Sequence, residues 1–255
     1  MSESLYAPTD AAPAAKPVAL WEDFIDVLTS PSAVFERRRD GHFGKALLVL
    51  TVLSAVTFFA TRPLLQPLFD RMFDQQQAAM AQANPNMTEE QRASAQAMTE
   101  RISTVFVPIF AVVGVPLLVF VSAGVLFGVS RLAGAAVSYG QAATIVTYAQ
   151  VPRIIGGIAG AAVLAVKDAN ELPVLQAPPT GPVLFLARDA SPYLVAVLSR
   201  LDLFTLWSTV LVGIGVAVIA KRSRASGFTA AGLLWLAATL WTVLSALRQA
   251  TAAGG

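Results

Sequence analysis

Arg153 stands inside the apolar run QAATIVTYAQVPRIIGGIAGAAVLAV, where an ionised side chain is least at home. A guanidinium in such a run costs free energy unless it faces protein or water and meets a partner. Asp202 is the first candidate. Arg153 lies 12 residues beyond Gln141, and Asp202 lies 18 residues before Ala220. If both runs cross a bilayer, the two charges are offset by about 9 Å at about 1.5 Å per residue, a gap that a long arginine and a bend at Pro152 can cover. The other candidate partners are the backbone carbonyls that Pro152 frees and the side chains of Tyr148 and Gln150. Two kinds of chemistry fit these four residues. One is an ion pair or hydrogen-bond knot that pins two helices; the other is an intramembrane polar site for a lipid headgroup or small anion.

Little else in the chain could react. Without cysteine there is no disulfide, thiolate metal site or thiol nucleophile. His42 is the sole histidine, with no cysteine or paired carboxylates at ligand spacing beside it, so no metal site is expected. No GxxxxGK[ST] loop occurs, and the glycines around 156–160 lie in an apolar run. The expectation is a protein with no catalytic residues and no cofactor, not an enzyme.

The elements that must position Arg153 follow from composition. Of the 255 residues, 55% are hydrophobic and 13% charged, against roughly 25% charged in soluble domains. Leu203 to Ala220 carries no charge and ends on Lys221, Arg222 and Arg224. About 18 or more apolar residues cover the roughly 30 Å hydrocarbon core of a bilayer, so this is a membrane span leaving at a basic turn. Four further segments resemble it. The expected fold is an all-α membrane protein, a bundle of five spans near 46–61, 104–129, 141–166, 192–220 and 228–247. Gly124 with Gly128, and Gly156 with Gly160, supply small-xxx-small spacing for close helix packing.

Around the spans, residues 1–19 are Ala- and Pro-rich and expected to form a disordered tail. They lack a basic stretch followed by an apolar run, so the first span is expected to serve as its own insertion signal. In 20–40, Leu20, Phe24, Val27 and Leu28 recur at helical spacing opposite Glu22, Asp23 and Asp26. Ser30-Pro31 then starts a second short helix ending in Arg37, Arg38 and Arg39. This amphipathic segment is expected to lie along the headgroups, its arginines either fixing topology or adding about 1 kcal/mol each of attraction to an anionic leaflet.

Residues 64–103 form an outer helical hairpin, about Leu64–Gln82 and Glu89–Ser103, with a capping box at Thr88 and Gln91. Its methionines are expected to be packing filler. A Pro-rich outer loop covers 167–190. Basic residues divide eight and eight between the two sides, but one set is packed beside span ends, which favours a cytoplasmic N-terminus and an outer C-terminus. The clustered charge points to membrane lipids rather than nucleic acid.

The pieces FIDVLTSPSAVFERRR, TYAQVPRIIGG and LDLFTLWSTVLVGIGVAV with its basic turn come in an order that resembles the Yip family, five-span integral membrane proteins named for interacting with Ypt/Rab GTPases. The resemblance covers about residues 20–247 and looks most like the prokaryotic branch, with its Gln-rich outer loop and short N-terminal tail. It implies a bacterial inner-membrane location and a non-enzymatic adaptor or organiser that engages lipids, anionic ones among them, and a protein partner or second copy. GTPase binding is carried to no residue here. The alternative is a small transporter, channel or lipid-handling protein built around Arg153.

Overall fold

In the computed structural model the described residues are 19–167, 180–187 and 190–254. The expected tail and most of the expected outer loop lie outside them. The described elements are helical: α1 (Leu20–Thr29), α2 (Pro31–Arg37), α3 (Gly44–Ala83), α4 (Glu89–Arg101), α5 (Val107–Leu132), α6 (Tyr139–Ala149), α7 (Val151–Val166), α8 (Pro192–Leu198), α9 (Leu203–Ile219) and α10 (Arg224–Gly254), with a π-helical turn over Ile102–Phe106 and a 3₁₀ turn over Gly181–Phe185.

Among the described residues, four helices are long and apolar enough to cross a membrane: Gly44–Gln82, Glu89–Leu132, Tyr139–Val166 and Arg224–Arg248. The pair Pro192–Leu198 and Leu203–Ile219, bent by 48°, makes a fifth crossing if its halves form one span. This is an all-α membrane protein. Its outward faces carry exposed Leu48, Val56, Phe110, Phe120, Leu240 and Trp241, the surface expected of helices bathed in lipid.

The hairpin is present, but its arms are not separate helices. α3 runs 40 residues straight through Pro63 and Pro67, about 60 Å at 1.5 Å per residue. The Thr88–Gln91 capping box starts α4, and α4 continues through the π turn into α5. The first two spans therefore project beyond their apolar parts as one pair of rods.

α9 lies at the centre, packed on α2, α6, α7 and α10. Lipid tails are as apolar as leucine, so membrane helices associate through close fit. A Cβ on Gly213 would sit 2.7 Å from Phe228, and one on Gly215 would sit 2.9 Å from Ile145 and 3.1 Å from Phe35. Gly227 faces the Gly213 carbonyl directly. Gly156 has Phe204 2.8 Å from its Cβ position, and Gly160 is buried. Gly124 and Gly128 differ from expectation: a Cβ at either meets nothing within 4 Å. The buried stripe of α5 is Val119, Ala123, Leu126 and Ser130, so its glycines face away from the bundle. Spacing identified a small-residue face without identifying which way it turned.

The amphipathic segment also departs from expectation. Val27, Val34 and Phe35 are fully buried and belong to the main core. α2 packs on α9, and Gln141 Nε2 donates to the Arg39 carbonyl at 3.0 Å. α1 and α2 thus form a hairpin fitted into one end of the bundle, with Trp21 and Ile25 left exposed. The starts of α3, α6 and α10 and the ends of α5 and α9 gather at that end. It collects Arg39, Lys45, Arg131, Lys221, Arg222 and Arg224.

Candidate functional site

Pro152 stands at the start of α7 and cannot donate a backbone hydrogen bond. The ladder is interrupted at Gln150: its N–H turns back to Thr147 at 3.3 Å, and the Arg153 N–H donates to the Gln150 carbonyl at 3.0 Å. This break separates two polar clusters that the sequence alone merges.

The first is a cavity of about 80 Å³ between α5, α6, α7, α9 and α10. Arg153, Gln150, Arg200, Thr205, Ser208 and Trp235 line it. The Arg153 side chain lines this space and is accessible, as in an open cleft. Arg200 sits in the break between α8 and α9, where the Trp235 indole N–H donates to its carbonyl at 3.2 Å. The Arg200 Nε and the Ser208 Oγ are buried with no hydrogen-bond partner among the described residues.

Asp202 is buried, and its role differs from expectation. Its Oδ1 caps α9, accepting from the N–H groups of Phe204 and Thr205 at 3.0 Å each. It acts on Arg153 and Arg200 through longer-range charge, and among the described residues no ion pair to Arg153 forms. A carboxylate is drawn to the orphan amides at a helix start, and that cap fixes where Asp202 points. Two guanidinium groups therefore line the cavity, and Asp202, the carboxylate that acts on both, is engaged as a cap outside that lining.

The second cluster centres on Asp23, whose side chain is 0% exposed. Its Oδ1 accepts from Arg37 Nε at 3.2 Å and Nη2 at 2.8 Å; its Oδ2 accepts from Arg38 Nε at 2.6 Å. Arg37 also reaches Asp26 at 2.7 Å. The hydrogen bond to Asp23 raises the Arg37 pKa against the opposing effect of its own partial burial. The Tyr148 hydroxyl donates to Asp23 Oδ2 at 3.4 Å. Two carboxylates meet two guanidinium groups here, so the cluster is balanced.

A family model described as the Yip1 domain matches residues 25–246. The chain belongs to the Yip1-domain family. No curated protein and no solved structure matches it. The Yip1-domain match takes in Arg153, Arg200 and Asp202 and, of the second cluster, Asp26, Arg37, Arg38 and Tyr148, while Asp23 lies two residues before it.

Within this Yip1 domain, Gln150 joins Arg153 as expected, while Tyr148 does not. Five residues at about 100° each, with the break between them, turn Tyr148 and Arg153 to different sides. Arg37 and Arg38 were expected to face lipid; they turn inward because a fully buried carboxylate requires pairing. Arg39 pairs with Glu36 at 2.9 Å near the surface, and Lys221, Arg222 and Arg224 are exposed at the expected basic turn. Sequence reasoning missed Asp23, Arg200, Ser208 and Trp235 as site members. Arg200, two residues before the Asp202 cap, was the available signal, since a charge at a break between helical halves faces inward more readily than one on a continuous helix.

Proposed function

We propose that this Yip1-domain protein is a non-enzymatic membrane organiser whose bundle engages an anionic species, a lipid headgroup or small anion, in the Arg153–Arg200 cavity. The supporting observation is the unbalanced charge of that cavity. A knot pinning two spans would bring Asp202 into hydrogen-bonding contact with Arg153, but Asp202 caps α9 instead. Guanidinium, amide and hydroxyl groups converging on one space form a donor set for an anion.

The gathered basic ends support a cytoplasmic N-terminus; with the bent pair as one crossing, the C-terminus lies outside. The setting is a bacterial inner membrane, and the partners are anionic lipids and a protein partner or second copy of the chain. The test is Arg153→Leu in detergent and in liposomes. The expected variant is stable and loses anion binding or flux. A variant that loses abundance and folding while any folded fraction binds normally would restore the knot.

A further inference from the structure

Resting on that anion-binding function, we infer that the cavity takes one phosphate-centred monoanion, such as the phosphodiester of a membrane phospholipid. Charge is the first ground. Arg153 and Arg200 line the site with two positive charges, and Asp202, acting on both from outside the lining, supplies one negative, so a single further negative charge balances the group. The two guanidinium groups repel each other across it, and a bridging anion relieves that repulsion.

The donors are the second ground. The Arg200 Nε and Ser208 Oγ have no hydrogen-bond partner among the described residues, and the Arg153 guanidinium and Gln150 side chain line the same space. Phosphate oxygens can accept from several converging donors at once, and arginine forks match their geometry. Chloride has no directional acceptors, and a carboxylate has two oxygens in one plane.

Size and position are the third. A single water needs about 10–15 Å³, so about 80 Å³ admits a group of several heavy atoms but no acyl chain. Arg153 is the fifteenth residue of the 28-residue helix Tyr139–Val166, about 20 Å from either end at 1.5 Å per residue. The acyl chains of a lipid held there would lie against the apolar outer faces of the helices.

Full-length protein, delipidated in detergent, is titrated by native mass spectrometry and thermal shift with phosphatidylglycerol, phosphatidylcholine, diacylglycerol, a fatty acid, inorganic phosphate and chloride. The expected result is one bound phosphodiester lipid or one phosphate per chain, with diacylglycerol, fatty acid and chloride at least tenfold weaker. Lipid binding without inorganic phosphate binding identifies the lipid as source; the reverse identifies free phosphate. Ser208→Ala and Arg200→Lys, which keep the net charge, should each weaken binding severalfold, and Arg153→Gln more than tenfold. Should Arg153→Gln fail to fold, the two milder variants decide. Fatty acid or chloride binding as tightly as the phosphate probes would overturn the inference while leaving an anion site. Absence of any anion binding that depends on Arg153 or Arg200 would overturn the proposed function as well.

Discussion

At the scale of single residues, the decisive difference lies between paired and unpaired charge. Asp23 is the buried anchor of the α1–α2 hairpin, and Asp23→Ala removes the carboxylate that Arg37 and Arg38 share, leaving Arg37 its contact with Asp26. Breaking a buried pair costs about 3–5 kcal/mol. Because the arginine side chains are 31% and 32% exposed, they can partly rehydrate, so the expected loss is near the lower end, about 3 kcal/mol, read from unfolding in detergent. Tyr148→Phe removes one long hydrogen bond and should cost about 1 kcal/mol or less; an effect as large as that of Asp23→Ala would mean the hydroxyl, not the arginines, anchors the carboxylate. The raised pKa of Arg37 contributes stability that is fully present below its unfolded pKa, so arginine deprotonation does not open the cluster near neutrality. Glycines divide the same way. Gly227→Ala drives a methyl into the Gly213 carbonyl and should destabilise by about 1–3 kcal/mol or more. Gly124→Ala enters open space and should be neutral or stabilising by up to about 1 kcal/mol. Thermal shifts of equal size for the two would contradict the packing described.

At the scale of elements, α1 and α2 behave as a fitted hairpin. Arg37→Gln combined with Arg38→Gln is expected to raise amide hydrogen exchange across residues 20–37 and in α6, which they cover. Unchanged protection there would show that Val27, Val34 and Phe35 hold the hairpin without the ion pairs. The helix pattern itself was largely legible. The Thr88–Gln91 box, the Ser30-Pro31 start and four of the five apolar spans depend on neighbours within a few residues and are found, whereas the expected 192–220 span is bent by 48° between Pro192–Leu198 and Leu203–Ile219. The continuity of α3, which packs on α5 and α7, was not legible, because Pro63 and Pro67 are strong local breakers. The clash-free outer face of α5 was hidden for the same reason: periodicity gives a stripe, and only neighbours give its direction.

At the scale of the whole molecule, the bundle sorts its charges into a balanced cluster at the basic end and an unbalanced one near mid-span. The absence of cysteine makes single-cysteine labelling unambiguous. Cysteines placed at Glu36 and in the 84–88 turn should label from opposite sides of the membrane; labelling from one side would remove α3 as a crossing. The sequence by itself determined that this is a membrane protein, which segments are long and apolar enough to cross and that Arg153 needs compensation, because hydrophobic length and the cost of a buried charge are properties of a local stretch. Only the tertiary structure decided which partner each charge meets. Tyr148 and Asp23 are 125 residues apart, and the rotation of each helix in the bundle, set by glycine contacts and caps far from either charge, determines whether two such side chains share a space.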